Sequence, residues 1–441
     1  MTLTYRAALA ALSERGRLGI RLGLGRTRAI LHELGDPQST MRGALIAGTN
    51  GKGSVLALAA SALRAAGLRV AETPKPHLVS YRERAVVDGH PIDPAAFARL
   101  ATEALAAARR VERRHGPATE FEVLTALAFR WFAEAGVDVA LVEVGLGGRL
   151  DATHAWDGGV AVVTNVGLDH TDRLGPTIRD IAREKAAIIE RGDLAVTGAT
   201  GEALDIVRWR SRRLGVPLTI VEPAPILDVG RDGIEVEMAS LGRTTVGLRG
   251  RHQAANVAVA DAVLDALAAA GIAGCSAASR RAGYAAARWP GRLELLTVGG
   301  RDVLLDGAHN PAGATTLAIA IDDLVPHLTP GRPTLVIATM ADKDVDGIIA
   351  ALAPARALAS ARVICTAVRG DRAMSPAALA EAWRSVSGRP AETAPDPAAA
   401  LAAALAADGG PIVVAGSLYL VGAVRAFLVD DPELRDPPEA P

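Results

Sequence analysis

The sequence predicts an α/β protein with two domains, each built on a parallel β-sheet that helices flank. The chain has 441 residues, which is more than a single hydrophobic core usually holds. Short, nearly continuous apolar runs, such as residues 44–46 and 137–144, are typical of buried parallel strands. Stretches with helical spacing separate these runs, and polar or glycine-rich residues follow them. This alternation is typical of α/β proteins, whose ligands bind beyond the carboxyl ends of the strands.

The composition argues against several other classes of protein. Half of the residues are hydrophobic, yet no stretch has the length and lack of charge of a membrane span, and the first residues lack the apolar run of a secretory signal. A formal net charge of −1 does not favour nucleic-acid binding. Two cysteines are too few for a disulfide framework or a metal cluster. We therefore expect a cytoplasmic protein that binds neither nucleic acids nor membranes. We also expect a monomer.

The stretch G-T-N-G-K-G-S at residues 48–54 lies between a predicted strand and a predicted helix at 55–63. Strand, glycine-rich turn and helix form the architecture of a phosphate-binding loop, in which backbone N–H groups and the helix N-terminus hold a polyphosphate. In that architecture the Lys52 ammonium contacts the phosphates and the Ser54 hydroxyl ligates Mg²⁺. The extra glycine between them departs from the usual spacing, and the alternative is a glycine-rich turn with a chance lysine. The expected nucleotide contacts are Gly48, Thr49, Asn50, Gly51, Lys52, Gly53 and Ser54.

Lysine is scarce in this chain, since Lys52, Lys75, Lys185 and Lys343 are the only lysines among 48 basic residues. Wherever a position needs only a positive charge, arginine has been used. An amine can become neutral and nucleophilic, which a guanidinium cannot, so each lysine is a candidate site residue. The alternative is that these lysines survive by chance.

A strand is predicted at 67–71, and the loop at 73–84 follows it closely. Prolines at 74 and 76 argue against a regular element there. A loop so close to the phosphate site is a candidate substrate clamp, with Lys75 and His77 as its contacts. The Lys75 ammonium would pair with a substrate carboxylate or phosphate, and the alternative is a solvated loop cation.

Helices are predicted at 97–113 and 119–135, before the buried strand at 137–144. Glu143 places a carboxylate inside that apolar strand, which indicates either a metal ligand or a buried salt bridge. His170 follows the next strand, 160–166, and is either a ligand or structural. A helix at 177–189 then carries Lys185.

Strands are predicted at 194–197 and 217–221, and period-two alternation within 226–248 indicates an antiparallel hairpin. A long helix follows from about 251 to 270. The sequence W-P-G-R at 289–292 breaks the pattern, so the expected domains are residues 1–290 and 291–441. The second domain is predicted to be smaller, parallel and Rossmann-like, with strands at 303–305, 334–338, 363–365 and 412–414. Polar groups end each strand, as expected of one half of an interdomain site.

Taken together, several ordered motifs resemble those of the Mur ligase superfamily, and more closely those of bacterial folylpolyglutamate synthases and their bifunctional forms with dihydrofolate synthase. These motifs are A-G-T-N-G-K-G-S at 47–54, P-H-L at 76–78, E-V-G-L-G-G-R-L-D-A-T at 143–153, L-D-H-T at 168–171, E-K-A at 184–186, H-Q-x-x-N at 252–256, P-G-R at 290–292, D-G-A-H-N-P at 306–311, D-K-D at 342–344 and G-S-L-Y at 416–419. The resemblance covers nearly the whole chain.

The resemblance implies an ATP-dependent ligase that adds L-glutamate to dihydropteroate, to reduced folates, or to both, through an acyl phosphate. It implies Mg²⁺ at Ser54 and Glu143, a second metal site at His170, and a carbamylated Lys185; Lys52, His170 and Lys185 would be catalytic. Matching positions imply nucleotide contacts at Asn256, Arg292, Asp306 and His309. The resemblance also implies that Phe121, Glu122, Leu150 and Asp151 line the pterin pocket.

Lys75 stands where the family commonly has serine, which leaves the contacts of the clamp loop open. The alternatives for Phe121 and Asp151 are core filling and helix capping. For the whole chain, the alternatives are another Mur-type amino-acid ligase and a nucleotide-binding regulator without ligase chemistry.

Overall fold

The computed structural model of the chain describes residues 2–370, 372–407 and 409–434. Three β-sheets organise these residues: an eight-stranded sheet, a three-stranded sheet and a six-stranded sheet. None of the helices in the described residues combines the length and the apolar character that crossing a bilayer requires.

The eight-stranded sheet has the order β4-β3-β2-β5-β1-β6-β7-β8. Its strands are β1 (Gly43–Ala47), β2 (Val70–Thr73), β3 (Val86–Val87), β4 (His90–Pro91), β5 (Val139–Glu143), β6 (Gly159–Val163), β7 (Leu194–Thr197) and β8 (Leu218–Ile220). Strand β1 runs parallel to both β5 and β6, and its register places Ile46 beside Glu143 and Ala47 beside Val163. The carboxyl ends of these three strands therefore meet at one edge, where the loops that follow them lie together.

Helices cover both faces of this sheet. They are α1 (Tyr5–Gly16), α2 (Leu24–Glu33), α3 (Lys52–Ala65), α4 (Pro94–His115), α5 (Glu120–Ala135), α6 (Thr171–Leu174), α7 (Ile178–Ala186), α8 (Gly201–Leu214), α9 (Gln253–Ala269) and α10 (Ala277–Ala286). Successive residues of β1 point to opposite faces, so Leu45 belongs to the core formed with α4 and α5, and Ile46 to the core formed with α3 and α9. The continuous apolar runs of the sequence follow from burial on both sides.

The segment predicted as a hairpin forms a three-stranded antiparallel sheet of β9 (Ile226–Gly230), β10 (Gly233–Met238) and β11 (Gly242–Val246). Alternation is visible in β10 and β11, where every second residue is buried, whereas every residue of β9 is exposed or half-buried. The exposed strand carries little periodic signal, which explains why the sequence indicated fewer strands.

The six-stranded sheet has the order β12-β13-β17-β14-β15-β16. Its strands are β12 (Glu294–Val298), β13 (Arg301–Leu305), β14 (Thr334–Ile337), β15 (Arg362–Cys365), β16 (Glu392–Thr393) and β17 (Ile412–Ala415). Its helices are α11 (Pro311–Leu324), α12 (Val345–Leu352), α13 (Pro376–Ser387), α14 (Pro397–Ala406) and α15 (Leu418–Leu428).

The expectation of an entirely parallel second sheet is wrong at one edge. Strand β12 pairs antiparallel with β13 through a tight turn at Gly299 and Gly300, both of which have positive φ. Elements that the sequence analysis did not place include α6, α8, α10, the helices α11 to α15 and the edge strands β3, β4, β12 and β16. Edge strands are short or half-exposed, so they lack the continuous apolar signal of the central strands. In the predicted clamp loop, Tyr81–Arg84 forms a short 3₁₀ helix where no regular element was expected.

Candidate active site

The phosphate loop joins the end of β1 to the start of α3. Gly48 and Gly51 have φ angles of +156° and +80°, which lie in the region that favours glycine. A Cβ atom on Gly51 would lie 2.3 Å from Asn256 Oδ1, and one on Gly53 would lie 2.4 Å from the Trp289 ring. The loop glycines are therefore required both by the backbone turn and by close packing against two later segments.

Two lysine ammonium groups converge on one carbonyl of this loop. Lys52 Nζ donates to the carbonyl oxygens of Gly48 (3.1 Å) and Thr49 (3.2 Å), and Lys185 Nζ donates to Gly48 O at 2.9 Å. Burial, and then the charge of Lys52, lowers the pKa of Lys185 to about 7. A substantial fraction of Lys185 is therefore a neutral amine near neutral pH, which is the form that can react with CO₂.

Glu143 ends β5 beside the phosphate loop. Its Oε1 atom lies 3.9 Å from Lys52 Nζ, and its Oε2 atom accepts a hydrogen bond from the backbone N–H of Lys75 at 2.9 Å. Burial raises the pKa of Glu143, while the charges of Lys52 and Lys75 lower it. The carboxylate is thus held beside the phosphate loop. Its Oε1 atom accepts no hydrogen bond from the described residues.

The other two predicted metal ligands approach the same space from different segments. Ser54 is buried in the first turn of α3, where its Oγ accepts from Gln253 Nε2 at 3.5 Å. His170 is exposed, takes a left-handed conformation (φ +49°) and lies 3.9 Å from the Asp169 carboxylate. Burial lowers the pKa of His170, which favours the neutral ring that ligates metals. Within the described residues, no group of three or more His, Cys, Asp or Glu side chains is arranged to hold a metal ion.

Phe121 and Asp151 pack against Gly145, in the loop that follows β5. Asp151 accepts hydrogen bonds from the backbone N–H groups of Leu146 (2.8 Å) and Thr153 (3.0 Å) and from the Thr153 hydroxyl (2.6 Å). It is therefore also a helix cap, as its alternative interpretation supposed. Phe121 presents its ring edge to Gly145, where a Cβ atom would lie 2.7 Å from Phe121 Cζ.

Glu122 and Leu150 bind the N-terminal loop to this region. The Glu122 carboxylate accepts from Arg26 Nε (2.9 and 3.1 Å) and from the N–H and hydroxyl of Thr119. The carbonyl oxygen of Leu150 accepts from Gly23 N–H at 3.2 Å. Because its oxygens are already engaged within the protein, Glu122 anchors the first turn of α2, which follows the loop that borders the site.

Lys75 is not the solvated loop cation of the alternative interpretation. Its ammonium donates to Thr73 Oγ1 at 3.0 Å and to the carbonyl oxygen of Glu143, and lies 5.5 Å from the centroid of the Phe121 ring. Burial lowers its pKa to about 8, while Asp151 and Glu143 raise it. Lys75 therefore links the Phe121 side of the site to the Glu143 side.

The second half of the site comes from the segment after residue 290. Asp306 accepts from the N–H groups of Leu293 and Ala308, both at 2.9 Å. His309 Nδ1 lies 2.8 Å from Gly307 O, so Nδ1 carries the proton; burial lowers the pKa of His309 and so favours the neutral ring, in which Nε2 is an acceptor. The Arg292 guanidinium packs on Gly307, where a Cβ atom would lie 2.2 Å from Nη1.

One cavity of about 670 Å³ joins these parts. The predicted site residues that line it are Thr49, Asn50, Gly51, Lys52, Gly53, Ser54, Lys75, Phe121, Glu122, Glu143, Leu150, Asp151, His170, Asn256, Arg292, Asp306 and His309. Gly48, His77 and Lys185 do not line it; the carbonyl oxygen of Gly48 accepts a hydrogen bond from Lys185 Nζ, and His77 Nδ1 accepts one from Arg84 Nε at 2.8 Å.

Some residues that line the cavity were not chosen from the sequence as site residues, among them Arg84, Asn165 and Trp289. Asn165 Oδ1 accepts from Asn50 N–H at 2.9 Å and so shapes the phosphate loop from the end of β6. Arg84 follows the P-H-L motif closely, and Trp289 directly precedes P-G-R. Their proximity to these motifs is the feature of the sequence that could have identified them as site residues. Asp169 and Asn310, which lie inside two of the motifs, form a hydrogen bond of 3.3 Å across the cavity.

Comparison with known proteins gives consistent results along the chain. Residues 46–264 match the Mur ligase middle domain, and residues 291–418 match the Mur ligase glutamate ligase domain. The chain is 36% identical to the dihydrofolate synthase/folylpolyglutamate synthase of Mycobacterium tuberculosis, over 93% of this chain and 91% of that protein. It is 34% identical to the folylpolyglutamate synthase of Lacticaseibacillus casei, over 97% and 99%.

Solved structures resemble the fold over almost its full length. Folylpolyglutamate synthase of M. tuberculosis complexed with ADP has a TM-score of 0.85 and 34% identity, covering 97% of this chain and 100% of that one. Escherichia coli FolC in complex with DHPP and ADP has a TM-score of 0.80, 31% identity and coverage of 97% and 99%. The bifunctional enzyme of Yersinia pestis complexed with AMPPNP and Mn ion has a TM-score of 0.81, 31% identity and coverage of 97% and 98%.

Proposed function

The chain belongs to the Mur ligase superfamily, within the family of folylpolyglutamate and dihydrofolate synthases, and we propose that it joins L-glutamate both to dihydropteroate and to reduced folates. It is an ATP-dependent, amide-forming ligase that adds glutamate to folates. The two relatives differ in the activities that their names carry, since one is named for both and the other only for polyglutamylation. Addition of glutamate to folates is therefore common to both relatives, and the presence of both activities in this chain is what we propose.

The observation that carries the proposal is the continuity of the cavity. The phosphate loop with Lys52 and the side chains of Phe121 and Asp151 line the same cavity. A flat heterocycle can stack on an aromatic ring while a carboxylate accepts from its amino and ring N–H groups. A folate bound in this way directs its carboxylate along the cavity towards the phosphate loop.

The residues around the phosphate loop fit a Mg²⁺ ion. Ser54 and Glu143 offer the oxygen ligands that Mg²⁺ prefers, and Glu143 Oε1 accepts no hydrogen bond from the described residues. His170 borders the same cavity and is proposed as a ligand of a second ion. When bound, Mg²⁺ would offset the negative charge of the phosphates.

The residues of this chain then support two chemical steps. The N–H groups of the phosphate loop hold the triphosphate, and Lys52 exchanges its carbonyl partners for phosphate oxygens. A carboxylate oxygen of the folate attacks the γ-phosphorus, ADP leaves and an acyl phosphate forms. The amine of glutamate then attacks the acyl carbon, phosphate leaves, and the amine gives up one proton as the amide forms.

Water must be kept from the acyl phosphate, which hydrolyses readily. Asn256, Arg292, Asp306 and His309 are proposed to hold the nucleotide, and three of them come from the segment after residue 290. We propose that this segment is a separate domain, 291–441, that closes over 1–290; residues 435–441 lie outside the described residues.

Lys185 is proposed to carry a carbamate. The amine is buried and its pKa is about 7, so its neutral form can react with CO₂ at neutral pH. Carbamylation would replace a second cation beside Lys52 with an anion, which favours binding of divalent cations at this end of the cavity.

We also propose that the enzyme acts as a monomer in the cytoplasm, because both cysteines are free thiols and the cavity is complete within one chain. Size-exclusion chromatography with light scattering tests the monomer at assay concentration. A dimeric mass would overturn it.

The test of function uses purified protein with Mg-ATP, glutamate and dihydropteroate. We expect phosphate release that requires both the carboxylate and the amine substrate, and dihydrofolate as the product identified by mass spectrometry. Tetrahydrofolate in place of dihydropteroate should give its diglutamate. If only tetrahydrofolate is extended, the dihydrofolate synthase half of the proposal is wrong; if neither reacts, both halves are wrong.

A further inference from the structure

Arg84 is a cation of the cavity wall that the chemistry described so far does not use. It ends the 3₁₀ helix Tyr81–Arg84 and lines both the main cavity and a small void behind Phe121. Its guanidinium lies 5.9 Å from the centroid of the Tyr81 ring, and its Nε donates to His77 Nδ1 at 2.8 Å. Nε and one face of the guanidinium are thus in contact with the protein, whereas the two terminal nitrogens donate no hydrogen bond to the residues that the structure describes.

No carboxylate of the described residues lies within ion-pair distance of Arg84. Burial lowers the pKa of this guanidinium, while more distant groups, first of them Glu120, raise it. The neighbouring Arg82 is different, since it donates to the carbonyl oxygens of Ile92 and Glu433. A partly buried cation without a counter-ion is unfavourable unless an anion reaches it, and a planar guanidinium suits a carboxylate because two parallel hydrogen bonds form.

His77 has a defined part in this arrangement. Burial, with the charge of Arg84, lowers the pKa of His77 to about 3, so the ring is neutral. Because Nδ1 accepts from Arg84, the ring proton is on Nε2. The ring also stacks on Tyr81, with centroids 4.4 Å apart, which fixes its orientation. His77, expected from the sequence to contact substrate, is therefore better explained as the residue that positions Arg84.

We propose that Arg84 binds a non-reacting carboxylate of the substrates: either a carboxylate of the incoming glutamate or the α-carboxylate of the glutamyl tail of a folate. This inference rests on the proposed function, because it takes the carboxylate from the substrates of that reaction. Both sources present the same chemistry to the guanidinium. They differ in that dihydropteroate has no glutamyl tail, whereas tetrahydrofolate has one.

The experiment compares Arg84→Gln and Arg84→Lys with the wild type in steady-state kinetics. Loss of a charge-assisted pair of hydrogen bonds should raise the affected KM roughly 10- to 100-fold. The value of kcat at saturation should change much less, because the proposed contact is with a carboxylate that does not react. Lysine retains the charge but not the planar pair of donors, so we expect the Arg84→Lys variant to be impaired too, although less than Arg84→Gln.

The two sources give different patterns, and each pattern supports the inference. If Arg84 binds the incoming glutamate, the KM for glutamate rises whether the other substrate is dihydropteroate or tetrahydrofolate. If Arg84 binds the folate tail, the KM for tetrahydrofolate rises while that for dihydropteroate does not. The inference is overturned if KM for glutamate, tetrahydrofolate and dihydropteroate all stay within about twofold of the wild-type values.

Two further variants show whether a change in KM comes from the proposed contact of Arg84 or from the loss of any arginine. His77→Ala should raise the same KM as Arg84→Gln, by a smaller factor, because Arg84 remains but loses its orientation. Arg179→Gln is the matched control, since Arg179 pairs with Glu202 on an exposed surface and should leave every KM unchanged. Thermal unfolding shows whether each variant is folded, and wild-type turnover measured first separates a failure of this inference from a failure of the proposed function.

Discussion

Two groups of residues line the cavity wall. Consecutive residues 49–54 form one, here called the phosphate end, and Lys75, Arg84, Phe121 and Asp151, which come from separate segments, form the other, here called the folate end. The first end depends on backbone geometry, on glycines and on one ammonium. The second depends on side chains that hold one another through long-range contacts, such as Lys75 with Glu143. We infer that the first end serves the chemical step and that the second selects the substrate.

This difference makes a kinetic distinction testable. Changes at the phosphate end should lower kcat, because they remove groups that stabilise charge in the transition state. Changes at the folate end should mainly raise KM, because they remove contacts made equally before and during reaction.

The largest effect is expected for Lys52→Ala. Loss of a cation at the transferring phosphoryl group should lower kcat about 10²- to 10³-fold. The fold should persist, since among the described residues Lys52 Nζ donates hydrogen bonds only to carbonyl oxygens of its own loop, and it lies 3.9 Å from the Glu143 carboxylate. Phosphate-release kinetics measure the loss, and the thermal midpoint is the control. Turnover close to wild type would contradict the assignment of residues 48–54 as a phosphate loop.

Lys185→Ala should lower activity roughly 10- to 100-fold by disturbing the same end from behind the loop. If Lys185 carries a carbamate, a small added carboxylate should restore part of the activity. Because the pKa is about 7, the amine is mostly protonated at pH 6 and mostly neutral at pH 8. Carbamate occupancy should therefore rise over this range.

The carbamate can be observed without the assay, as a ¹³C resonance after equilibration with ¹³CO₂. Lys185→Arg serves as the control, because a guanidinium forms no carbamate under these conditions. A high-resolution map of the active enzyme near neutral pH that shows a bare amine would exclude the modification.

The two ends also differ in how well the sequence predicts them. The strand before residue 48, the glycines and the helix after residue 54 are local features, and the structure brings them together as predicted. Buried central strands such as β1 and β7 were also predicted within a residue or two, since burial on both faces gives a continuous apolar signal.

The folate end is different, because its contacts join residues far apart in the chain. No local pattern indicates that the Lys75 ammonium reaches Glu143, or that His77 accepts from Arg84 instead of facing the cavity. The edge strand β12 was missed for a related reason, since its residues are only half-buried and carry no continuous apolar signal. Long-range pairing and tertiary contacts, not local propensity, decide these features.

Phe121→Leu tests the folate end with a smaller expected effect. Stacking on an aromatic ring contributes about 0.5–1.5 kcal/mol beyond area burial, so KM for dihydropteroate should rise about 2- to 10-fold with little change in kcat. Phe132→Leu is the matched control, because Phe132 lies on the same helix but is fully buried away from the cavity. That variant should lose stability without a change in KM. An equal effect of both variants on KM would show that Phe121 is core filling.

The smallest effect is expected for Lys75→Ser, which restores the residue that the family commonly has. The ammonium lies near Phe121 and donates to the carbonyl oxygen of Glu143, so it touches both ends of the cavity. A cation at an aromatic ring contributes about 0.5–1 kcal/mol in a partly exposed site, which corresponds to about a 2- to 5-fold change. We expect a change of that size in KM for glutamate or ATP, or in kcat.

Lys75→Met separates charge from bulk in this test, since it keeps a long unbranched side chain without the ammonium. If serine and methionine change the same kinetic constant equally, the charge of Lys75 matters and its contact is with a substrate. If KM for glutamate and for ATP and kcat all remain at wild-type values, Lys75 contacts only the protein. In that case its ammonium serves to hold the end of β5 beside Phe121, and the two ends of the cavity are joined by a structural contact that takes no part in selecting the substrate.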